Sequence, residues 1–361
     1  EIHERLVGSE MCIRDSPYPH FPKTPRSKAD SGYSRFMKNH ARVNRLIEEA
    51  MAERRCAFSP IESENAALRR RIAEDGGLLR PARGLYVPSD YWNGLDPFER
   101  SMHMARAMAR QHPKWVFVGN IAATAHGFEH SWKLHDGTVS IASAYHNGFC
   151  RIAKVRRVYI PEQCMSVEVV DGLPVLDKIR TVLNCSVQYD FPYGLPIADS
   201  ALRQGIGRRD LSAGCSAMRI GYAQAARVLR YADGASENGG ESMCRAVMID
   251  EGFAIPLLQT IFVDSETGRR YRADFAWRLP DGRIAVGEYD GTQKYVDPQM
   301  TGRRSVQTVV QMEREREEAL RRAGVSLIVR FTYDDVIERV PLVNKLLRVG
   351  IPRSSSSIHR R

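Results

Sequence analysis

The sequence predicts a multidomain α/β protein, and three observations support that prediction. At 361 residues the chain is longer than a typical single domain. Hydrophobic residues make up 43% of it, and they recur at helical spacing in some segments and alternate in others. The last third starts with a helical segment, continues with a strand, a hairpin, a long charged helix and another strand, and ends with a helix. That order predicts an α/β sandwich.

Composition narrows the class of partner. A net charge of +10 and a pI near 9.3 indicate an anionic partner, with nucleic acid the first candidate. The seven cysteines are scattered and form no C-x-x-C pair, which is typical of a reducing cytosol. The sequence has no apolar run of about 18 residues, so we expect no membrane-spanning segment and a cytoplasmic location.

Five segments are expected along the chain. The opening EIHERLVGSEMCIRDS resembles adaptor-derived sequence fused to gene predictions from environmental reads, and it lacks the apolar core of a signal peptide. A Gly-rich and Ser-containing stretch at 232–240 is typical of a linker. The expected segments are an artefactual and disordered lead-in at 1–34, a winged helix-turn-helix at 35–95, an α+β middle domain at 96–232, an α/β domain at 233–350, and a disordered basic tail at 351–361.

Two helical segments followed by a small β-ribbon predict the winged helix-turn-helix. Helical spacing runs through 35–55, Pro60 opens a second helix, and Arg83-Gly84 lies between two short strand-like runs. Arginines in this region are expected to contact DNA phosphates, because phosphate contacts carry most of the affinity. The candidates are Arg69, Arg70, Arg71, Arg80 and Arg83. Alternatively, the run at 69–71 only solvates a helix face.

For residues 96–232 the sequence predicts secondary structure but no catalytic or binding site. Asp96-Pro97 predicts the start of a helix. Strands are expected at 138–143, 155–160 and 166–170, and helices at 174–185 and from about residues 198 and 213. A metal site is not expected from the histidines, because no single helix face collects them; they are His126, His130, His135 and His146.

The stretch YRADFAWRLPDGRIAVGEYDGTQK, residues 271–294, predicts the functional centre. Pro-Asp-Gly is a turn signal, and a three-residue loop with Gly282 in the left-handed conformation fixes the register of a hairpin. Asp274 then lies directly opposite Glu288, with Cβ atoms about 5 Å apart. Two like charges this close favour a divalent cation between them.

Asp290 and the register leave alternatives open. Asp290 shares a face with Glu288 because strand side chains alternate, so it is a candidate third acid. In the same register Asp290 opposes Arg272, and a cross-strand ion pair would also explain it. Clustered charge of structural origin is likewise an alternative for Asp274 with Glu288. A shift of one residue would place those two acids on opposite faces.

A family resemblance adds to these observations. DFAW followed by VGEYDG, the charged helix EREREEALRRAG and the strand VSLIVRFTYDDV are similar to the very-short-patch-repair-like endonuclease domains of bacteria, within the PD-(D/E)XK nuclease superfamily. The resemblance covers about residues 236–348. It implies a restriction-endonuclease-like fold and hydrolysis of phosphodiester bonds with Mg²⁺ or Mn²⁺.

The resemblance also implies roles for particular residues. Glu241 would be the acid on the core helix, and Asp274 and Glu288 would be the metal ligands. Asp290 is a third acidic position and stands where the superfamily pattern has Lys, a departure that bears on activity rather than fold. Lys294, four residues on, either supplies the missing positive charge or belongs to the ordinary surface.

A second resemblance implies an alternative function. LLRPARGLYV resembles the wing of the AbiEi-type antitoxin winged-helix domain, and WVFVGNIAATAHGF resembles the adjoining region of those antitoxins. The implied function is an autorepressor that counters a cognate nucleotidyltransferase-type toxin, with a catalytically silent nuclease fold. A third hypothesis is a repair or restriction-type accessory enzyme. DNA is the expected partner throughout, and Arg314 and Arg316 are further candidates for backbone phosphate.

Overall fold

The computed structural model describes residues 41–75, 77–145, 153–290 and 306–353, without the side chains of 73–75 and 306–310. Its helices are α1 (Ala41–Ala52), α2 (Glu62–Asp75), α3 (Ser89–Asn93), α4 (Pro97–Gln111), α5 (Asn120–Ala125), α6 (Lys178–Gln188), α7 (Phe191–Arg203), α8 (Arg208–Ser216), α9 (Tyr222–Tyr231), α10 (Gly239–Asp250), α11 (Val306–Arg322), α12 (Tyr333–Glu338) and α13 (Val340–Arg348). Its strands are β1 (Leu78–Leu79), β2 (Val87–Pro88), β3 (Val139–Ser143), β4 (Val155–Tyr159), β5 (Val167–Val170), β6 (Leu173–Leu176), β7 (Leu257–Val263), β8 (Arg270–Arg278), β9 (Ile284–Asp290) and β10 (Val325–Thr332). The predicted mixture of helices and sheets is confirmed.

The described chain forms two compact units. The N-terminal unit contains residues 41–188 and 210–222, and the C-terminal unit contains residues 189–209 and 223–353. The boundary expected at residue 233 therefore falls inside the C-terminal unit. Helix α7, which the sequence assigned to the middle domain, packs with the C-terminal unit instead.

Helices α1 and α2 and the β1–β2 ribbon share a hydrophobic core in the N-terminal unit. Ile47 of α1, Leu68 of α2 and Tyr86 beside β2 are all buried in it. The two short strands pair antiparallel, and their connection passes through Gly84 at a φ of 77°, a conformation that glycine adopts without steric cost. The predicted β-ribbon after the two helices is confirmed.

Phe117 is buried in a second hydrophobic core of the N-terminal unit. Helix α4 begins as predicted, with the side chain of Asp96 accepting a hydrogen bond from the amide of Glu99 at 2.8 Å. The parallel pair β3–β4 and the antiparallel pair β5–β6 are both bridged by Phe117. The helix expected at 174–185 is wrong at its start: Pro174 pairs with Val169 in the β5–β6 hairpin, and α6 begins only after that hairpin.

The C-terminal unit is built on a four-stranded sheet in the order β10-β9-β8-β7. Strands β9 and β10 run parallel, and the other neighbours are antiparallel. Phe275 and Ala276 are adjacent in β8 and so point to opposite faces of the sheet. Phe275 lies in a core with Met248 of α10, and Ala276 lies in a second core with Leu320 of α11. Helices therefore cover both faces of the sheet.

Residues 232–240 are not a linker, and this expectation from the sequence is wrong. Ser236 is fully buried, and the amide of Asp233 donates a hydrogen bond to Asp199 of α7 at 2.7 Å. Asp199 also forms a buried ion pair with Arg245 of α10, with an N to O distance of 2.7 Å. Glycine and serine content indicates a loop, but the partners that bury this loop are distant in sequence.

Three other helices differ from the expectation. Helix α8 starts at Arg208, before the start expected near residue 213. The last helix is divided into α12 and α13, because Arg339 adopts a φ of 62° between them and Pro341 lies in the first turn of α13. Helix α7 starts at Phe191, well before the expected start near residue 198, and accommodates Pro196 in its interior. Across the described ranges, no helix has the length and apolar character needed to cross a membrane.

Candidate functional site

The hairpin of β8 and β9 has the register that its turn predicts. Phe275 pairs with Gly287, and Arg278 pairs with Ile284. Gly282 adopts a φ of 86°, the left-handed conformation expected for the last residue of the loop. The turn geometry and the register of residues 275–278 with 284–287 are therefore confirmed, but the paired ladder ends before the expected pair of Asp274 with Glu288.

The two strands separate immediately beyond Phe275 and Gly287. In a continued antiparallel ladder the amide of Tyr289 would donate to the carbonyl of Ala273. It donates instead to Oδ2 of Asp274, at 2.9 Å. Asp274 therefore lies in the gap where the strands diverge, held by the backbone of the strand that carries Glu288.

Glu241 approaches Asp274 from the first turn of α10. Asn238 caps this helix by accepting from the amide of Glu241 at 2.9 Å, and its own amide group donates back to Glu241 Oε1 at 2.7 Å. Glu241 is 4% exposed. Burial, reinforced by the negative charge of Asp274, raises the pKa of Glu241 to about 8. Capping explains its hydrogen bonds, but it does not require the approach to a second acid.

Gly240 permits this close approach of helix to strand. A Cβ atom built at Gly240 would overlap the aromatic ring of Tyr289. Helix α10 can therefore pack against the end of β9 only because residue 240 has no side chain. The same contact keeps Glu241, the next residue, beside the diverging strands.

Gln259 of β7 joins the two acids. Its Nε2 lies 2.9 Å from Glu241 Oε2 and 3.4 Å from Asp274 Oδ1. Sequence reasoning missed this residue. The available signal was a polar side chain inside an otherwise largely apolar strand, LLQTIFV.

Glu288 lies on the side of the sheet that faces α11. Nη2 of Arg316 lies 2.6 Å from Glu288 Oε1, and the same guanidinium donates to the carbonyl of Arg272. Arg316 was a candidate for binding DNA phosphate, and in the structure its guanidinium binds a carboxylate. Arg314, two residues earlier on the same helix, is exposed.

Asp290 belongs to an ionic network of β9, β10 and α11. Its Oδ2 lies 3.9 Å from Nε of Arg330, which also pairs with Glu313 at 3.3 Å and Glu317 at 3.1 Å. Arg272, the alternative partner expected for Asp290, forms an ion pair with Glu237. Glu288 and Asp290 thus each lie beside an arginine, Arg316 and Arg330 respectively.

The structure brings two of the predicted acids together and disperses the others. Glu241 and Asp274 meet through Gln259, whereas Glu288 and Asp290 lie among arginines. Within the described ranges, no three His, Cys, Asp or Glu side chains are grouped so that they could hold a metal ion. Lys294 lies outside the described residues.

The arginines predicted to contact DNA differ in their surroundings. Arg69 forms an ion pair with Glu62 on α2, and Nη2 of Arg71 donates to Asn44 Oδ1 on α1 at 2.6 Å. The first contact lies within α2, and the second joins α2 to α1. The exposed members are Arg69, Arg70, Arg80 and Arg83. Because Arg69 pairs with Glu62, the other three are the better candidates for phosphate contacts.

Two histidines of the N-terminal unit form a buried pair. Nε2 of His130 lies 2.9 Å from Nε2 of His135, and Nδ1 of His130 lies 2.7 Å from the carbonyl of Phe128. The carbonyl requires a proton on Nδ1, so Nε2 of His130 accepts a hydrogen bond from His135. Burial lowers the pKa of His130 to about 4 and that of His135 to about 2. Both rings are therefore neutral at physiological pH.

The chain is similar over part of its length to known mycobacterial proteins. No family model matches the chain. Two curated proteins of Mycobacterium tuberculosis, "Uncharacterized protein MT2308" of strain CDC 1551 and "Uncharacterized protein Rv2248" of strain H37Rv, are 34% identical over 121 residues, which is 33% of this chain and 43% of each relative. The chain thus spans less than half the length of these relatives. The crystal structure of RV2827C protein from Mycobacterium tuberculosis aligns with a TM-score of 0.33 and 16% identity, over 50% of this chain and 68% of that one.

Proposed function

We propose that this protein binds DNA through its N-terminal unit and hydrolyses phosphodiester bonds with a divalent cation in its C-terminal unit. The observation that carries the proposal is the meeting of Glu241 and Asp274 where β8 and β9 diverge. Two acids placed together at a cost in charge repulsion are more typical of a functional site than of a structural one. We also propose a winged helix-turn-helix in the N-terminal unit, a restriction-endonuclease-like fold in the C-terminal unit and a cytoplasmic location.

The residues at this place fit a divalent cation. Nε2 of Gln259 lies beside both carboxylates, and Oε1 of the same amide is buried without a hydrogen-bond partner among the described residues. Mg²⁺ prefers oxygen ligands and usually takes only one or two carboxylates from the protein, with water and phosphate completing its shell. Glu241 and Asp274 would hold Mg²⁺ or Mn²⁺. The cation would supply an activated water and would offset charge that builds on the scissile phosphate.

The chain's own residues have distinct parts in this proposal. The Tyr289 amide fixes Asp274 at the strand gap, and the cap at Asn238 fixes Glu241. Glu288 is a second candidate ligand, and Arg316 neutralises it in the cation-free protein. Asp290 is held by Arg330, so a role for it in catalysis would need that contact to rearrange. The exposed Arg80 and Arg83 would bind the DNA backbone.

Cleavage of supercoiled plasmid tests this function. We expect the full chain to nick plasmid in the presence of Mg²⁺ or Mn²⁺ and to lose this activity with EDTA. Asp274→Asn and Glu241→Gln should each abolish nicking, because each removes a negative oxygen ligand while keeping the side-chain shape. Asp281→Asn is the matched control, since Asp281 is an exposed acid in the turn of the same hairpin and pairs with Arg283.

One contact favours a second candidate function. Arg316 neutralises Glu288, and an Asp stands at position 290 where the related nucleases have Lys, so the nuclease fold would be catalytically silent. The protein would then be an AbiEi-like autorepressor paired with a toxin. A gel-shift result that shows DNA binding, together with no nicking by the wild type in either metal, would support this function and contradict the nuclease.

A further inference from the structure

Gln259 occupies an unusual backbone conformation for its position. In the β7–β8 ladder Leu258 pairs with Phe275 and Thr260 pairs with Ala273, so Gln259 stands opposite Asp274. Its φ is 49°, in the left-handed region that side chains rarely adopt within a strand. Strained conformations of this kind persist where the surroundings enforce them, and they concentrate at functional sites.

In this backbone conformation the Gln259 side chain reaches two acids. Nε2 of Gln259 donates toward Glu241 at 2.9 Å and Asp274 at 3.4 Å, so its two hydrogens lie between two acids. Oε1 of the same amide is buried without a partner among the described residues. A glutamine with a purely structural role would be expected to satisfy both ends of its amide, because a buried polar atom without a partner is costly.

We propose that Gln259 is a positioning residue of the cation site, holding Glu241 and Asp274 at the separation that a divalent cation requires. This inference rests on the function proposed above. In the cation-free protein the amide N–H group lies between the two carboxylates and reduces their repulsion. A cation in that place would require the Gln259 amide to rotate, so that Oε1 replaces Nε2 between the carboxylates as a neutral oxygen ligand, the type of donor that accompanies carboxylates around Mg²⁺ and Mn²⁺.

Direct binding of Mn²⁺ to the full chain without DNA tests the inference. Bound Mn²⁺ is measured by the loss of the electron paramagnetic resonance signal of the free ion, and the melting temperature is measured with EDTA and with Mn²⁺. We expect Gln259→Ala to weaken Mn²⁺ binding about ten-fold, the lower end of the effect of supporting residues on metal affinity. Gln259→Glu, which keeps the length and the oxygen, should bind Mn²⁺ at least as tightly as the wild type.

A structural role would give a different pattern. Gln259→Glu places a third carboxylate beside two others, so its melting temperature in EDTA should fall and its rise on adding Mn²⁺ should exceed that of the wild type. A residue that only supports folding would show the fall without the larger recovery. Gln311→Ala is the matched control, because Gln311 is an exposed glutamine of the same unit whose amide bonds only to Glu315 among the described residues.

The outcomes separate this inference from the proposed function. If Asp274→Asn loses Mn²⁺ binding while Gln259→Ala binds as tightly as the wild type, or more tightly, the role of Gln259 is wrong and the metal site stands. If wild type and Asp274→Asn bind Mn²⁺ equally, the metal site itself is wrong and the inference falls with it. If Gln259→Ala does not fold, Gln259→Glu carries the test through its recovery in Mn²⁺.

Discussion

Nη2 of Arg316 and Oε1 of Glu288 are 2.6 Å apart, which joins α11 to the strand that carries the GEYD sequence. The Glu288 side chain is 14% exposed, so its side of this ion pair is largely shielded from water. A carboxylate that already has a bound cationic side chain cannot serve a metal ion without competition. The pair therefore decides whether Glu288 takes part in cation binding.

Arg316→Ala separates the two possibilities. The variant should lose about 1–3 kcal/mol of stability without metal, because a largely buried carboxylate is left without its donor. If Glu288 is a metal ligand, Mn²⁺ should raise the melting temperature of this variant more than that of the wild type. Arg314→Ala, an exposed neighbour on the same helix, serves as the control. An equal Mn²⁺ response in Arg316→Ala and wild type would exclude Glu288 from the site.

Arg80 and Arg83, which lie between β1 and β2, are expected to contact DNA phosphates. Arg80→Ala combined with Arg83→Ala should weaken binding to DNA of any sequence and should lower the slope of log affinity against log salt by about 2, since each phosphate contact contributes about 0.9. Fluorescence anisotropy across a salt series measures this slope. Arg157→Ala with Arg219→Ala removes the same charge from exposed positions elsewhere in the N-terminal unit. A slope that falls equally in both double variants would argue for binding by net charge alone.

The histidine pair predicts a loss of stability in mild acid. His130 and His135 have pKa values of about 4 and about 2, against 6.5 when exposed in the unfolded chain. Between pH 6.5 and 4 the unfolded state binds protons that the folded state does not. Stability should therefore fall with falling pH in this window, by up to about 1.4 kcal/mol per pH unit for each histidine. Above pH 6.5 the pair should have no effect on pH dependence.

Urea unfolding at pH 7 and pH 5 checks this. His135→Gln removes one titrating ring and keeps a donor for His130, so its loss of stability between the two pH values should be smaller than in the wild type. His112→Gln, at a half-buried position where the ring stacks on Trp115, should behave as the wild type does. Equal losses in His135→Gln and wild type would show that the pair does not control acid stability.

Features of the fold that depend on residues close together in the sequence were predicted from it. The Pro-Asp-Gly turn fixed the hairpin register, and Asp96-Pro97 marked the start of α4, because both depend on residues within a few positions of each other. The sequence also selected Glu241 and Asp274, which the structure brings together. The divergence of β8 and β9 beyond Phe275 was not predictable, since it depends on α10 packing against β9.

Features that depend on distant partners were missed. Gln259 acquires its position from the pairing of β7 with β8, and Glu288 acquires its partner from α11, 28 residues further on. The stretch at 232–240 was assigned as a linker because composition reports flexibility of the isolated chain. The stretch is held in place by Asp199, which accepts a hydrogen bond from the amide of Asp233. Asp199 lies 34 positions earlier in the sequence.

The division of the chain into units has a practical and an evolutionary consequence. Within the part of the chain that the structure describes, the polypeptide passes from one unit to the other three times, after residues 188, 209 and 222. A single cut therefore cannot release either unit intact, and a fragment beginning at residue 233 would lack α7 and leave Arg245 without Asp199. Exchange of one unit for another by gene fusion would therefore require more than one joint in the sequence.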